Sequence, residues 1–396
     1  MDALPQSQGL PVLDGDICVA CGACAAVCPT DAVYPPQRPE QILLRTLDGL
    51  PAVPLLLACP RASVDRGTQA PVAGIVRHVR CLAGLDMADL LAATGHGQRT
   101  LWLDDTACGQ CPIGALGPAI QATARAADRI LHTFGLPGRL RTTALDTGQL
   151  LDSPERRPVL LGTQPRLSRR ELFRGLIRGD EASRDRDPAP DLPMLLPGGP
   201  VALRLPKQLP ESRRRLLEAL ARLARSAAVD MGAATLAAQD LPMARVKVQG
   251  DRCSGCGLCA RFCPTEALAF AGPDPTVRLR PTETVPFQLA FRADLCIDCG
   301  ICQVACPEEA VEYGEELSLR DLVEPGWSVL AAGALGACRR CGAATAPRPG
   351  DGAPLCYACR GGEGEPLHGT GGTDMLDDLR SQLMEYLGGS QEDPGA

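Results

Sequence analysis

Aromatic and lysine side chains are scarce in this chain of 396 residues. Aromatic residues make up only 3% of it, so the hydrophobic cores must be built mainly from aliphatic side chains. Lysine occurs only at Lys207 and Lys247, which leaves arginine to carry nearly all the positive charge. The formal net charge of −7 gives no reason to expect nucleic acid as a partner.

Long apolar segments are also missing. The longest apolar stretch, Ser328–Ala337, contains glycine and is far shorter than the ~18 residues that a membrane span needs. Residues 1–16 carry neither a basic start nor an apolar core, so we expect no secretory signal and no membrane span. These features predict a cytoplasmic protein with reduced thiols, which favours metal ligation over disulfide bonds.

Motifs for nucleotide binding and acid–base catalysis are absent from the sequence. Gly95-His-Gly97 lacks the third glycine of a dinucleotide-binding loop, and no Walker motif occurs. None of the four histidines is paired with an acid at a catalytic spacing. Whether the chain is an enzyme stays open, and we expect an electron carrier or a subunit of an oxidoreductase complex.

Cysteine, in contrast, is abundant. The 20 cysteines fall into five groups of four, with none left over. Metal–thiolate sites usually use four ligands, so this grouping indicates metal binding. The candidate groups are Cys18, Cys21, Cys24 and Cys28; Cys59, Cys81, Cys108 and Cys111; Cys253, Cys256, Cys259 and Cys263; Cys296, Cys299, Cys302 and Cys306; and Cys338, Cys341, Cys356 and Cys359.

Three of these groups share the motif Asp-x-Cys-x-x-Cys-Gly-x-Cys-x-x-x-Cys-Pro-x-acid-Ala, at 16–32, 251–267 and 294–310. Three thiolates two residues apart can hold one cluster, while the fourth serves a neighbouring cluster. Residues 244–316 therefore resemble the bacterial two-cluster ferredoxin. In the crossed arrangement, Cys306 joins Cys253, Cys256 and Cys259 on one 4Fe–4S cluster. Cys263 joins Cys296, Cys299 and Cys302 on the other.

The first copy of the motif stands alone within residues 1–40. We expect a third 4Fe–4S cluster on Cys18, Cys21 and Cys24. The crossed rule sends Cys28 elsewhere, so the fourth ligand stays open between Cys28 itself and two other cysteines. Those two, Cys59 and Cys111, also precede a proline.

Residues 41–150 alternate between strand and helix patterns. Apolar runs at 53–58, 74–80 and 100–104 predict strands, and helical spacing appears at 84–94 and 118–134. The alternation predicts a small parallel sheet. Cys59, Cys81 and Cys108 each follow a predicted strand, so we expect them to converge with Cys111 at one edge of the sheet.

This region is similar to the delta subunit of methyl-viologen-reducing hydrogenase. The resemblance rests on Leu-Leu-Leu-Ala-Cys at 55–59, the run 75–80 before Cys81, and the Cys108/Cys111 pair followed by Gly114. It implies a 2Fe–2S cluster. The family carries Cys-x-x-Cys where this chain has Cys59 alone, and its last pair is more widely spaced. A different cluster, a buried set of thiols and a Cys-x-x-Cys redox pair therefore stay open.

The C-terminal cysteines form two Cys-x-x-Cys pairs separated by fourteen residues, at 338–341 and 356–359. Two such pairs close a tetrahedral four-sulfur site, which most often holds zinc. The sequence thus predicts a zinc ribbon in residues 317–366, with rubredoxin-like iron as the alternative. A tail at 367–396 contains a predicted helix over 374–387.

Residues 151–243 are rich in proline and arginine and predict a linker containing a basic helix over 211–228. Four leucines form one face of that helix, and we expect its arginines to be solvated. Ser-Arg-Arg-Glu-Leu-Phe at 168–173 is similar to a segment in accessory iron–sulfur proteins of periplasmic nitrate reductase and formate dehydrogenase.

Taken together, the patterns predict an α+β multidomain protein with ferredoxin-like modules, a small parallel α/β domain and a C-terminal zinc ribbon. We expect a polyferredoxin that relays single electrons between redox partners. A hydrogenase, a heterodisulfide-reductase-like protein or a molybdoenzyme would be the partner. The alternatives are an assembly or docking factor for a molybdoenzyme and, less favoured, a thiol–disulfide reductase using Cys108 and Cys111.

Overall fold

The computed structural model describes residues 13–33, 38–163, 209–227, 230, 232–238, 241–273, 277–349 and 354–360, and the backbone of 6–7 and 10–11. The tail helix predicted at 374–387 and the 168–173 segment lie outside the described residues. No helix within the described part has both the length and the hydropathy of a membrane span.

The regular elements are short, and we number them in chain order. The strands are β1 Gln6–Ser7, β2 Leu10–Pro11, β3 Leu55–Ala58, β4 Gly74–Arg77, β5 Leu101–Asp104, β6 Leu140–Thr142, β7 Val159–Leu161, β8 Thr235–Ala237, β9 Arg245–Val248, β10 Leu268–Ala271, β11 Thr284–Phe291, β12 Val311–Gly314, β13 Glu316–Ser318, β14 Ser328–Ala337 and β15 Ala344–Thr345. The helices are α1 Ala23–Val27, α2 Pro39–Asp48, α3 Met87–Ala93, α4 Gly117–Thr133, α5 Glu211–Ser226, α6 Leu258–Arg261, α7 Ile301–Val304, α8 Leu319–Val323 and α9 Tyr357–Arg360.

A five-stranded parallel sheet forms the first unit, in the order β6-β5-β3-β4-β7. The predicted parallel sheet is thus confirmed. Alternate side chains of its central strands point to opposite faces. Leu57 and Leu103 join the core with the helices, while Leu56 and Trp102 pack against the loop that follows β3. Both faces are buried, as parallel sheets require.

The sheet extends further along the chain than the sequence predicts. Strand β7 pairs with β4 and closes one edge of the sheet, although it lies in the segment with a linker-like composition. It has only three residues, and Val159 and Leu161 are 42% and 46% exposed. So short and exposed a strand leaves no periodic signal in the sequence.

The second unit is antiparallel. Strands β9 and β12 pair, and β10, β11, β14 and β15 form a four-stranded sheet. The two cysteine motifs of the ferredoxin-like segment are joined by a long connector, residues 271–293. This connector contains β11, which forms a hairpin with β10. Strand β14, the longest apolar stretch of the chain, pairs with β11 along the full length of β11. The sequence predicts a separate unit for the C-terminal cysteine segment. In the structure, β14 and β15 instead make this segment continuous with the ferredoxin-like sheet.

Helix α5 lies between the two units, and its arginines only partly follow the prediction. Leu216, Leu220 and Leu223 are buried in the same core as side chains from the parallel sheet and the ferredoxin-like unit. Arg214, Arg222 and Arg225 are exposed as expected. Arg213 is buried, with 3% of its surface exposed, and Arg215 is mostly covered, which contradicts the expectation of a fully solvated arginine face.

Arg215 fixes α5 to α3 through two acids. Its guanidinium donates to the carboxylates of Asp86 and Asp89. These acids also form the capping box that begins α3, because each side chain accepts from the backbone N–H of the other residue. Arg38 pairs with both acids as well. These ion pairs thus join the first turn of α3 to α5.

Replacing Arg215 with glutamine should loosen α5. Asp89 is fully buried, and breaking a buried ion pair costs about 3 kcal/mol or more, which corresponds to roughly 100-fold faster local opening. Hydrogen–deuterium exchange of peptides covering Glu211–Ser226 measures this change.

Arg214→Gln is the matched control, because Arg214 forms an exposed pair with Glu211 on the same helix. Its exchange rates should match those of the unmodified protein. Equal exchange in the two variants would show that Arg215 does not hold the helix.

Candidate functional site

The three ferredoxin-like motifs share a backbone conformation as well as a cysteine spacing. Each copy has a positive φ angle at three positions. They are the residue before the second cysteine, the glycine after that cysteine, and the acidic residue two positions after the proline. That glycine precedes the short helix carrying the third cysteine. The positions are Ala20, Gly22 and Asp31; Gly255, Gly257 and Glu266; and Asp298, Gly300 and Glu309.

Backbone amides reach the fourth cysteine of the motif in two copies. The Ala32 N–H donates to Cys28 Sγ at 3.2 Å, and the Ala310 N–H donates to Cys306 Sγ at 3.3 Å. Burial raises the pKa of the Cys28 thiol, but hydrogen bonds from Val33, Thr30 and Ala32 outweigh it and lower the pKa. Such bonds favour the thiolate that iron requires. The alanine at the end of the sequence motif marks this position.

One cavity of the ferredoxin-like unit contains the first predicted crossed group. A space of about 390 Å³ is lined by Cys253, Cys256, Cys259 and Cys306. Cys263, which belongs to the same motif as the first three, does not line it. Burial and the three neighbouring thiols raise the pKa of Cys259 to about 12.

Cys263 lies instead beside the second motif. Burial raises the pKa of Cys302 to about 11, and the nearby thiols of Cys296, Cys299 and Cys263 add to the rise. Cys306 thus lies among the thiols of the first motif and Cys263 beside those of the second, and the crossed ligation stays a prediction.

The N-terminal motif rests on the parallel-sheet unit. A Cβ at Gly84 would lie 2.8 Å from the Cys21 carbonyl oxygen, so only glycine permits this close approach. Burial raises the pKa of Cys81, and the thiol of Cys21 contributes to the rise. Of the motif's cysteines, Cys21 thus lies beside the sheet edge.

Asp31 connects the same motif to α5. Its carboxylate accepts from the Ser212 backbone N–H at 3.0 Å and from the Ser212 hydroxyl at 2.7 Å. Ser212 is in the first turn of α5, where N–H groups have no partner within the helix. An acid of the cluster motif therefore caps a helix that is distant in sequence.

The sheet edge carries the second cysteine group. Strand order reverses between β3 and β5, and ligands of open parallel sheets bind at such a switch point, beyond the carboxyl ends of the strands. Ala58, Arg77 and Asp104 are in register at these ends. A cavity of about 330 Å³ lies there, lined by Cys59, Cys81, Cys108 and Cys111 together with Asp104.

The environment of Cys108 does not suit a reactive thiol. Burial raises its pKa to about 11, and Asp105 and the other three thiols contribute to the rise. Nucleophilic cysteines have lowered pKa values. The four thiols that line this one cavity favour a shared metal centre over a Cys-x-x-Cys redox pair.

The C-terminal group is much more compact. Within the described ranges, Cys338, Cys341, Cys356 and Cys359 form the one group of potential metal ligands whose ligand atoms all lie within 4.8 Å of one another. Cys341 Sγ and Cys356 Sγ are 3.6 Å apart. Zinc–sulfur bonds of about 2.3 Å in a tetrahedron place sulfurs roughly 3.8 Å apart. The spacing of this group fits one metal ion, whereas the ligand atoms of the other four groups do not all lie within 4.8 Å of one another.

One thiol of the compact group, that of Cys338, lies in surroundings that favour the thiolate, whereas burial raises the pKa of Cys356 and of Cys359. Burial raises the pKa of Cys338, but N–H groups of Cys356, Cys341 and Arg340 outweigh it and hold the pKa at about 6. A thiolate is the form that binds zinc.

The compact group also closes over the first ferredoxin-like cavity. The Ala346 N–H donates to the Ser254 carbonyl at 2.9 Å, next to Cys253. Arg348 and Arg360 both pair with Glu308, a buried acid that lines the cavity. The C-terminal segment thus covers one face of this site.

Comparisons with known proteins agree with the cysteine geometry. A model of the 4Fe–4S dicluster domain matches residues 252–310, and a model of the 4Fe–4S binding domain matches residues 11–34. No curated protein matches the chain. The two domain matches support an iron–sulfur protein with an electron-transfer role, related to polyferredoxins.

The crossed arrangement predicts which cluster each serine substitution disturbs. Cys306→Ser should perturb the cluster held by Cys253, Cys256 and Cys259, and Cys263→Ser should perturb the other. Electron paramagnetic resonance of the two reduced variants measures this. If each variant disturbs the cluster of its own motif, the crossed assignment is wrong.

The C-terminal group should bind one zinc ion per chain. The double variant Cys341→Ser/Cys359→Ser should lose this zinc while keeping its iron, measured by elemental analysis of the full chain. Zinc should also remain after oxidation has bleached the clusters, because it has no redox chemistry. Iron in place of zinc at this group would reverse the assignment.

Proposed function

We propose that this protein is a polyferredoxin that passes single electrons between two redox partners. Three 4Fe–4S clusters are assigned to it: one on the N-terminal motif and two on the crossed groups of the ferredoxin-like unit. The sheet-edge group Cys59, Cys81, Cys108 and Cys111 holds a further cluster. Zinc occupies the C-terminal group and stabilises the fold around it.

The contiguity of the cysteine groups carries the proposal. Cys21 of the N-terminal motif lies beside Cys81 of the sheet edge. Asp31 of the same motif binds Ser212, and the next residue of α5, Arg213, contacts the turn before Cys296. The N-terminal motif therefore contacts the sheet edge directly, and α5 links it to the segment that precedes Cys296. Such a series is what a relay needs, and isolated structural sites would not require it.

When bound, iron–sulfur clusters accept and release single electrons at potentials set by their protein surroundings. The chain supplies the thiolates, the N–H donors to sulfur and the burial that set those potentials. Its C-terminal segment contacts Ser254 and Glu308, two residues that line the cavity of the Cys253 group. Substrate chemistry then belongs to a partner.

The sheet-edge cluster is the basis for choosing among partners. The resemblance to the hydrogenase delta subunit concerns this region, so we propose a hydrogenase or a heterodisulfide-reductase-like enzyme as the partner. The type of cluster follows the same resemblance, with 2Fe–2S as the proposal. We place this exchange of electrons in the cytoplasm.

The assembly-factor alternative receives less support. Two features motivated it, the segment at 168–173 and the arginines of α5. The segment lies outside the described residues. Arg213 and Arg215 contact other parts of the same chain, so they are not available to bind another protein.

Anaerobic purification followed by a stoichiometric reductive titration tests the relay. The protein should take up one electron per cluster and return it on reoxidation, with no loss of iron or sulfide. Absorbance and electron paramagnetic resonance follow the cycle. The control is the zinc-free double variant Cys341→Ser/Cys359→Ser, which should take up the same number of electrons.

Iron bound without acid-labile sulfide would contradict the proposal. So would clusters that are lost after a single reduction, because a relay must cycle. A disulfide formed between Cys108 and Cys111 during the cycle would favour the thiol-redox alternative.

A further inference from the structure

Arg213 is a buried cation next to one of the two ferredoxin-like groups. Its guanidinium donates to the carbonyl oxygens of Asp294 at 3.0 Å and Ala293 at 2.9 Å, and to Met243 Sδ at 3.0 Å. The two carbonyls belong to the short turn Ala293–Leu295, which directly precedes Cys296. The guanidinium therefore holds the segment that presents this cysteine.

Among the residues that the structure describes, no acid forms an ion pair with Arg213, although the nearby charge of Asp294 raises the pKa of Arg213 and partly offsets the effect of burial. The backbone carbonyl of Asp294 accepts from Arg213, but the carboxylate of Asp294 pairs with Arg292. Burial lowers the pKa of Arg213 to about 10, so it remains protonated at neutral pH. A buried charge without a counter-charge is costly, and carbonyl dipoles compensate only part of it.

We infer that Arg213 is paired electrostatically with the cluster on Cys296, Cys299, Cys302 and Cys263, and that it raises the reduction potential of this cluster above that of its neighbour. The inference rests on the proposed function, because it requires that cluster to be present. A cluster held by four thiolates carries net negative charge, which supplies the missing counter-charge. Reduction adds one more electron and forms no bond, so a fixed cation favours the reduced state.

The charges beside the neighbouring group are paired and more exposed to water. Glu308 lines the cavity of Cys253, Cys256 and Cys306, and its charge is shared by Arg348 and Arg360. The two arginines carry one positive charge more than Glu308, but their side chains are 23% and 22% exposed, so water screens that charge more than the charge of the buried Arg213. Electrons entering the ferredoxin-like unit should therefore settle first on the cluster beside Arg213.

A redox titration with dithionite, followed by electron paramagnetic resonance, tests this order on the full chain. The cluster disturbed in Cys302→Ser identifies the signal in question. In the unmodified protein that signal should appear at the higher potential. Arg213→Gln should move it to a more negative potential and leave the other cluster unchanged, while Arg213→Lys should restore most of the potential.

Asp294→Asn provides a second variant with the opposite sign. It removes a negative charge near Cys296 and leaves Arg292 unpaired, so the same signal should move to a less negative potential. If Arg213 acted only by holding the turn, lysine would not restore the potential; the Asp294→Asn shift shows separately that charge beside Cys296 sets it. The second variant also keeps the inference testable if Arg213→Gln fails to bind its cluster.

Arg222→Gln is the control, because Arg222 is an exposed arginine on the same helix. Its potentials should equal those of the unmodified protein. Unchanged potentials in Arg213→Gln, with both clusters present, would overturn this inference alone. A protein without reducible four-iron clusters would overturn the proposed function.

Discussion

Arg215 lies between two acids, Asp86 and Asp89, and its charge cannot be removed without leaving those acids unbalanced in a buried position. This pairing fixes α5 to the parallel-sheet unit. The first turn of the same helix receives Asp31 from the N-terminal motif and directs Arg213 to the turn before Cys296. One helix therefore determines how three cysteine-bearing segments lie relative to one another, and their proximity follows from its ionic contacts.

The parts of this protein that are predictable from sequence are those with local causes. The ferredoxin-like motifs are recognisable because ligands to a cluster must be closely spaced, and the crossed grouping follows from the length of the motif. The parallel sheet is predictable because its strands are apolar runs separated by helical patterns. The convergence of Cys59, Cys81 and Cys108 then follows from the rule that such strands end at one edge.

The remaining features depend on partners that are distant in sequence. A run of arginines predicts a solvated surface, since periodicity records polarity and not the acid that a side chain meets. Arg213 and Arg215 depart from that rule because carbonyls and carboxylates of other segments accept hydrogen bonds from their guanidinium groups. Strands β7 and β14 pair with strands far along the chain, so the boundaries predicted at 150 and 316 separate elements that the structure joins in one sheet. The sequence motif shows that Asp31 occupies its acidic position, but it does not show that the Asp31 carboxylate caps α5.

The cysteine groups differ in how much of the chain must be ordered before their ligands meet. Within each ferredoxin-like motif, three ligands are separated by only two residues, and short loops close rapidly and at small entropic cost. The sheet-edge ligands are distributed from Cys59 to Cys111 and meet only once β3, β4 and β5 have paired. Parallel pairing is slow because it joins distant segments. The kinetics of folding thus separate the two kinds of site: iron can meet three thiolates of a motif early, while the edge becomes a complete binding site late.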